Sequence, residues 1–425
     1  MKLQVFRSEK GDCLLLTSRT NRRMLIDGGM SASYSKHVAP ELGALRQAKK
    51  KLDLIYVSHI DQDHISGVLQ LLDDEAAWRV HEYQLANGNP NHPPPENPRP
   101  PQVGSIWHNA FHEQVGKNSG AIESALAASA SLLSSADAPE LQALGAAQAE
   151  LTQSIPEAIK VSRRIGGRQL NIPLNKQVGG KLVTVEGVEK AVSLGSTKLD
   201  VIGPFGADLT KLRSEWNTWL DSHGSAIAGI EHQAEEDEAM LSTSELAWPA
   251  SHFVALGNAL GMRSKVTTPN LASIMLLATE GKKRVLLTGD GHGDDIVKGL
   301  EKRGKFDANG KLHVDVLKVQ HHGSENNIDQ AFCDAITADQ YIFCGNGQHE
   351  NPDLAVVRLI VERRLAGADS KPFKFWFNCH SSVSERSDGA AHMKKVEALV
   401  EDLKNAAGGR LSAEYLTGSS FEVPV

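Results

Sequence analysis

Four side chains of metal-binding type lie within six consecutive positions of this chain. They are His59, Asp61, Asp63 and His64, at the spacing H-x-D-x-D-H, directly after the apolar run 54–57. An extended run would direct the first two ligands into the following loop, and the last two would open a helix. Two pairs of ligands on one short turn can hold two metal ions close together, as phosphoryl and acyl hydrolases do. A polar turn with solvated histidines is the alternative, but four ligands at this spacing favour a metal site.

The stretch from Ser58 to Gly67 resembles the signature of the metallo-β-lactamase fold, whose usual form is H-x-H-x-D-H. Asp61 stands where that signature most often has its second histidine. The variant is similar to the one in hydrolase domains related to the DNA-uptake protein ComEC. The resemblance implies an α/β fold of the α+β kind, an αββα sandwich with the metals at one edge. Nucleases, phosphodiesterases, lactonases and β-lactamases share that fold.

Further blocks follow in the order that this family shows. The L-I-D-x-G strand end of the family supports the ligand loop, which implies that role for Asp27. The L-L-T-G-D strand end delivers an aspartate that bridges both metals, and Asp290 occupies that position. Asn270 and Ser273 match the N-x-x-S pattern with which ComEC-like domains begin the preceding strand. Since no third histidine is found near this point, Asn270 or a water molecule would complete the first metal position.

Two adjacent histidines, His321 and His322, follow the apolar strand Val314–Val319 in the sequence H-H-G-S, which is similar to the ComEC-like group. Neighbouring side chains at a strand end point in opposite directions, so at most one is easily a ligand. We favour His321 as the ligand, with His322 as a close alternative, and expect the other histidine to meet the substrate or an acid. The loop around His349 loosely resembles an Asn…His-Pro loop of the family. His349 is a candidate proton donor or phosphate contact, with a purely structural loop as the alternative.

A dinuclear site is predicted from these blocks. Its ligands are His59, Asp61, Asp63, His64, Asp290 and His321, and its catalytic residues are Asp63, His322 and His349. Three carboxylates beside three histidines make a harder donor set than that of a zinc lactamase. The predicted cofactors are therefore two divalent ions, Mn²⁺ or Zn²⁺ first and Mg²⁺ as an alternative.

Hydrolysis of phosphodiester bonds by a metal-bridging hydroxide is the predicted activity, because a hard, anionic site suits phosphodiester oxygen better than an amide. A nuclease is favoured, with a nucleic acid or a nucleotide as substrate. The alternatives are a carbonyl hydrolase such as a lactonase, or a non-catalytic partner module that kept the fold. A membrane channel and a nucleic-acid-binding barrel, which ComEC adds, are not found in this sequence.

The amino-acid composition is typical of a globular protein, and the chain has no excess of basic residues. Of 425 residues, 40% are hydrophobic and 23% are charged, and the net charge is −7, so no global field attracts nucleic acid. The four cysteines form no C-x-x-C pair, and Cys13 and Cys344 lie in apolar runs, which predicts small buried side chains in a reducing compartment. Neither a signal peptide nor a membrane span is found. A cytoplasmic protein without membrane partners is expected.

Three regions are predicted: 1–84 and 181–425 as the two halves of the fold, and 85–180 as an insertion. Seven prolines between Asn87 and Gly104 exclude a helix or sheet interior there. The segment from Asn118 to about Lys160 is rich in Ala, Ser, Leu and Gln, which predicts one or two helices. We hypothesise that this insertion covers the site as a movable cap or binds a regulatory protein partner.

The runs Trp78–Tyr83 and Lys181–Val185 have the composition of strands. His108 and His112 are spaced i, i+4 and could bind a metal on a helix, but solvated histidines beside a linker are favoured.

Overall fold

The computed structural model describes residues 1–109, 157, 160–162, 164–207, 209–210, 273–367 and 371–425. His112, Asn270 and residues 118–156 of the predicted helical segment lie outside the described residues.

The first sheet has six strands, and its order is β14-β1-β2-β3-β4-β5. The strands are β1 (Lys2–Phe6), β2 (Leu14–Thr17), β3 (Arg23–Ile26), β4 (Leu54–Tyr56), β5 (Ile106–Trp107) and β14 (Ser420–Pro424). β14, β1, β2 and β3 pair antiparallel, whereas β3, β4 and β5 run parallel.

The second sheet has eight strands, and its order is β13-β12-β11-β10-β9-β8-β7-β6. They are β6 (Val192–Leu194), β7 (Thr197–Gly203), β8 (Met275–Glu280), β9 (Lys283–Leu287), β10 (Leu312–Lys318), β11 (Ile336–Phe343), β12 (Phe373–Phe377) and β13 (Leu411–Tyr415). β9 to β13 run parallel, and β6 to β9 pair antiparallel.

Helices connect and cover these strands. The α-helices that the structure describes beyond one turn are α1 (Ala39–Gln47), α2 (Gln62–Ala86), α3 (Gly293–Lys302), α4 (Gln330–Ala335), α5 (Leu354–Ala366) and α6 (Ser387–Ala406). A short α turn, Ser31–Ser33, and a π turn, Tyr34–Val38, lead into α1. No helix in the described ranges is long and apolar enough to cross a membrane.

Three hydrophobic clusters fill the spaces between the layers of the molecule. Side chains alternate along the strands, so Leu54 and Tyr56 of β4 face the second sheet while Ile55 faces the helices. The inter-sheet cluster combines such residues with Leu276 and Val285 of the second sheet. The other two clusters lie between each sheet and its own helices. The arrangement is helix, sheet, sheet, helix, and the predicted α/β sandwich is confirmed.

The prediction of a strand at Trp78–Tyr83 is wrong, because these residues belong to α2. Aromatic and β-branched residues suit strands, but α2 has no glycine or proline after Gly67 to end it. The ion pair between Glu75 and Arg79, 3.0 Å apart at i, i+4, also supports the helix. The prediction of a strand at Lys181–Val185 is likewise wrong: no strand is assigned there.

The predicted insertion contributes a strand to the first sheet, since β5 pairs with β4. The proline-rich segment that precedes β5 is attached to α2, where Trp78 Nε1 donates to the carbonyl of Asn97 and Arg99 pairs with Glu75. His108, directly after β5, is fully buried, so the solvated interpretation of this residue is wrong. Its backbone exchanges two hydrogen bonds with the Asn175 side chain, which fixes it inside the fold.

Strand direction explains where functional side chains collect. β3 and β4 are parallel, and so are β9 and β10. In parallel strands the carboxyl ends meet at one edge, where ligand sites of α/β proteins form. Asp27 follows β3, His59 follows β4, Asp290 follows β9 and His321 follows β10. Each pair lies at the carboxyl edge of its own sheet, and the two edges meet, since His59 Nε2 is 3.7 Å from Oδ2 of Asp290.

Candidate metal centre

The loop between β4 and α2 carries the first four predicted ligands. Asp61 is extended, with φ −60° and ψ 144°, and immediately precedes the first turn of α2, which contains Asp63. His59 and His64 are buried, whereas the Asp61 side chain is 31% exposed. The loop therefore directs its histidines inward and leaves one carboxylate at the surface of the cluster.

The Asp27 side chain fixes this loop through hydrogen bonds. Its Oδ1 accepts a hydrogen bond from the backbone N–H of Ser58 (2.7 Å), and its Oδ2 accepts one from Ser58 Oγ (2.8 Å). The same Oδ2 lies 3.0 Å from Nδ1 of His64. One buried carboxylate thus orients both the start of the loop and one of its imidazoles.

Asp290 enters from the second sheet through a tight strand end. Gly289 has φ +49°, and a Cβ there would lie 2.8 Å from Cβ of Ser58. Only a glycine therefore lets this strand end approach the ligand loop. Asn327 Nδ2 donates to the Asp290 carbonyl at 3.0 Å and fixes the backbone behind the carboxylate.

His321 and His322 both turn toward Asp290. Their φ angles are +46° and +55°, within the short 3-10 turn Gln320–Gly323, so the chain is not extended here and the rule of opposite directions does not apply. His322 is buried and places Nε2 3.2 Å from Asp63 Oδ2. The His321 side chain is 28% exposed, with Nε2 3.8 Å from Asp290 Oδ2.

The four imidazoles share one hydrogen-bonding pattern. Each has a hydrogen-bond partner at Nδ1 that can accept a proton: Ser58 Oγ for His59 (3.0 Å), Asp27 Oδ2 for His64 (3.0 Å), Asn327 Oδ1 for His321 (2.6 Å) and the Cys344 carbonyl for His322 (2.7 Å). Each directs Nε2 at the Asp290 carboxylate, at distances of 3.7, 3.4, 3.8 and 3.4 Å in the same order. Histidines that bind metals are oriented in this way.

Several buried polar atoms at this point make no hydrogen bond with any described residue. They include Nε2 of His59, Nε2 of His64, Oδ1 of Asp290 and Oδ1 of Asp12. Buried polar groups are normally satisfied, so these atoms require a partner that the described residues do not provide. Ligand atoms of Asp12, His64, Asp290 and His322 all lie within 4.8 Å of one another. The cluster fits a divalent metal ion.

Electrostatics within the cluster are strong. Burial opposes the charged imidazole of His322, but Asp290, Asp12 and Asp63 outweigh it and raise its pKa to about 10. The pKa of His64 is raised well above its ordinary value, again against burial and chiefly by Asp290.

The carboxyl groups respond in the opposite sense. Burial acts to raise the pKa of Asp290, but His64 and His322 hold it well below its usual range. The pKa of Asp63 is lowered in the same way, against burial, by His64 and then His322. These shifts favour the ionised forms of Asp63 and Asp290 and the protonated forms of His64 and His322.

Two members of the cluster were not predicted from the sequence. Asp12 lies in the turn before β2, and Lys318 ends β10; both are almost fully buried and form an ion pair. The available signal was Lys318 itself, a lysine inside the apolar run Val314–Val319. Lysine is almost never fully buried without a partner. Asp12 had no comparable signal, because its sequence neighbours describe an ordinary turn.

The sequence model of the metallo-beta-lactamase superfamily matches residues 9–116. This range includes Asp12, Asp27 and the whole H-x-D-x-D-H stretch. The chain carries a metallo-beta-lactamase superfamily domain. A search of curated proteins found no match, so the resemblance to ComEC-related domains stays a prediction. Membership of a domain in this superfamily, together with the His/Asp cluster, indicates a metal-dependent hydrolase.

Two other predicted residues, Ser273 and His349, differ in burial. Ser273 is buried beside the strand end of Asp290, and its Cβ is 3.6 Å from where a Cβ on Gly289 would lie. His349 lies on an exposed 3-10 turn, Gln348–Glu350. The loop that contains this turn continues to Pro352, which packs against Gly323. The roles assigned to Ser273 and His349 stay predictions.

Proposed function

We propose that this protein is a metal-dependent phosphodiesterase, and in the first instance a nuclease, that uses two divalent ions. The observation that carries the proposal is the set of four imidazoles whose Nδ1 atoms have acceptor partners and whose Nε2 atoms converge on Asp290. A donor set that adds aspartates to these imidazoles is hard enough for Mn²⁺ and still accepts Zn²⁺.

The ligand atoms divide into two groups that share Asp290. In the inner group, Asp63 lies 3.2 Å from His322 Nε2 and 3.9 Å from His64 Nε2. In the outer group, Asp61 lies 3.4 Å from His59 Nε2, and His321 completes it. Ligands about 2.1 Å from one metal ion lie roughly 3–3.5 Å from each other, so these separations suit two coordination shells.

Formal charge also supports two ions. Five aspartates surround the imidazoles: Asp12, Asp27, Asp61, Asp63 and Asp290. Among the described residues, Lys318 is the lysine that is buried beside them. Two divalent ions and one lysine would balance five carboxylates with neutral imidazoles, and uncompensated buried charge is costly.

The cluster is open on one side. Asp61 and His321 are partly exposed, whereas His59, His64 and Asp290 are buried. The scissile group would therefore approach from the side of the outer ligands. Bound divalent ions would polarise the phosphoryl group and activate water as the nucleophile. The protein's own part is to orient the imidazoles through their Nδ1 partners and to exclude solvent from the inner ligands.

A basic residue near the ligands favours an anionic substrate. The turn Ser8–Gly11 lies on the backbone of Asp63, because a Cβ on Gly11 would overlap the Asp63 carbonyl oxygen at 1.7 Å. Lys10 lies in this turn. Burial acts to raise the pKa of Asp63, whereas His64, His322 and, to a smaller extent, the charge of Lys10 lower it. A positive charge at this place would favour an anionic phosphodiester over a neutral lactone.

The decisive experiment is an assay of the purified protein with Mn²⁺, Zn²⁺ or Mg²⁺ on several substrates. These are bis-p-nitrophenyl phosphate, single- and double-stranded DNA, RNA, a lactone and a β-lactam. We expect metal-dependent cleavage of the phosphodiesters, lost in the Asp63→Ala/His64→Ala variant. The matched control is Asp315→Asn, since Asp315 lies on β10 but pairs with Lys283 at the surface; it should keep full activity.

The outcomes separate the alternatives. Cleavage of the lactone or the β-lactam, without cleavage of any phosphodiester, would replace the proposal with a carbonyl hydrolase. Two bound metals without any cleavage, or no bound metal by elemental analysis, would contradict it in favour of a partner module.

A further inference from the structure

Lys318 is a buried lysine that the predicted ligand set does not include. It ends β10, directly before the turn that carries His321 and His322, and its side chain is 2% exposed. Fully buried lysines are rare because removing an ammonium group from water is costly unless it is paired.

The ammonium group of Lys318 contacts both halves of the centre. It forms a close ion pair with Oδ2 of Asp12, from the first sheet. It also donates to the carbonyl of Gly289 at 3.1 Å and lies 3.6 Å from Oδ1 of Asp290, both from the second sheet. The oxygen that it approaches on Asp290 is also 3.4 Å from Nε2 of His64.

Asp12, the main partner of Lys318, lies behind the ligand histidines. Its Oδ1 is 3.3 Å from Nδ1 of His322, and its Oδ2 is 3.8 Å from Nδ1 of His64. The Nε2 atoms of these imidazoles point away from Asp12, toward Asp290. Lys318 therefore lies on the closed side of the cluster, opposite the exposed ligands Asp61 and His321.

We infer that Lys318 is a resident cation of the metal centre: its fixed charge holds the acidic ligand set together before metal binds and limits the negative charge that metal must neutralise. The inference rests on the proposed metal centre. Without a positive charge, Asp12, Asp63 and Asp290 would repel one another in a region from which water is excluded. Lys318 joins the strand ends that must meet and so acts as a positioning residue.

If Lys318 acts through its charge, the two single variants of the ion pair should change Mn²⁺ affinity in opposite directions. A purely structural ion pair does not predict this. Lys318→Met adds one net negative charge at the centre, so Mn²⁺ should bind about tenfold more tightly, while the metal-free protein becomes less stable. Asp12→Asn adds one net positive charge, so Mn²⁺ should bind about tenfold more weakly. The double variant restores the net charge, and its affinity should lie within about threefold of the wild type.

The experiment measures Mn²⁺ affinity by calorimetry and thermal unfolding with and without Mn²⁺ at one fixed pH. For Lys318→Met we expect a metal-free Tm roughly 5–15 °C lower, with most of the loss recovered in saturating Mn²⁺. The matched control is Lys305→Met, which breaks a partly buried ion pair with Asp200 at 2.7 Å on β7; its Mn²⁺ affinity should equal that of the wild type.

Other outcomes would overturn the inference. If both single variants bind Mn²⁺ more weakly, the pair maintains geometry and not charge. If Lys318→Met loses the same stability with and without Mn²⁺, Lys318 has no function at the metal centre. Should Lys318→Met fold only with Mn²⁺, the inference is supported. None of these readouts requires catalysis, so an inactive protein would contradict the proposed reaction without affecting this test.

Discussion

Two buried carboxylates in this sandwich, Glu280 and Asp290, are stabilised in different ways. Each forms one group with the side chains around it. Glu280, at the end of β8, is 1% exposed, and protein groups alone satisfy it: the amino group of Met1, the guanidinium and backbone N–H of Arg19, and the hydroxyls of Ser196 and Thr197. Asp290 is buried to the same degree, yet its Oδ1 and the Nε2 atoms of His59 and His64 have no hydrogen-bond partner among the described residues. Burial of an acid therefore does not by itself identify a functional site. The unsatisfied ligand atoms around it do.

The largest expected difference between the two groups is in catalysis. Asp290→Asn should lower metal-dependent phosphodiester hydrolysis roughly a thousandfold, because it removes the carboxylate that both ligand groups share. Glu280→Gln should leave the rate per folded molecule unchanged. Initial rates on bis-p-nitrophenyl phosphate, with metal content by elemental analysis, check this. Equal losses in the two variants would refute the distinction.

Stabilisation of the protein by Mn²⁺ should depend on Asp290 and not on Glu280. At a free Mn²⁺ concentration of 100 times the Kd, the free energy of unfolding should rise by about 2.7 kcal/mol for each independent site. The same gain is expected for Glu280→Gln and a much smaller one for Asp290→Asn. Chemical unfolding with Mn²⁺ and with a chelator measures it, and a full gain in Asp290→Asn would contradict the assigned ligand.

Glu280→Gln should lower the free energy of unfolding by about 2 kcal/mol, because the amino group of Met1 loses its carboxylate partner while it stays buried. The loss should be the same with and without Mn²⁺. Urea unfolding in both conditions provides the measurement, and a loss seen only without metal would show that the two groups are coupled.

The contribution of Glu280 should also depend on pH in a defined sense. Burial acts to raise the pKa of this carboxyl, but the amino group of Met1, Ser196 and Arg19 lower it to about 2, from 4.5 in the unfolded chain. A lowered pKa stabilises the fold above pH 4.5, and this stabilisation disappears as the pH falls toward 2. The difference in stability between wild type and Glu280→Gln should shrink over that range. A difference that stays constant would exclude ionisation as its cause.

The smallest effect is expected for the support beneath the ligands. Asp27→Asn keeps the size of the side chain but weakens its hold on Ser58 and His64, so Mn²⁺ affinity should fall about tenfold. Calorimetric titration with Mn²⁺ is the check. A variant that binds as tightly as the wild type would show that the loop orients itself without Asp27.

Much of the site could be predicted where its ligands are close in sequence. The H-x-D-x-D-H stretch was recognisable because its four ligands lie within one loop and the first turn of α2. The sandwich followed from the resemblance that this stretch carries. The strand prediction for Trp78–Tyr83 failed because local β preference is weaker than continuation of an established helix.

Residues that act through long-range contacts were not predictable in the same way. Asn327 and the carbonyl of Cys344 hold the two adjacent histidines, but neither residue type is diagnostic in sequence. The expectation that His321 and His322 point apart assumed an extended chain, and their positive φ angles follow from the turn that closes β10. Backbone conformation of this kind depends on what packs against the turn.

The sequence by itself determined the chemistry that is available: the kinds of ligand, their carboxylate-rich balance, and the strand ends on which they lie. Those properties are local, since they depend on residue types and short spacings. Only the tertiary structure decided which atoms meet. Asp12 and Lys318 are more than 300 positions apart, and their ion pair exists because two sheets pack face to face with their ligand-bearing strand ends at one edge. A buried charge needs a partner in space, and spacing along the chain does not specify that partner.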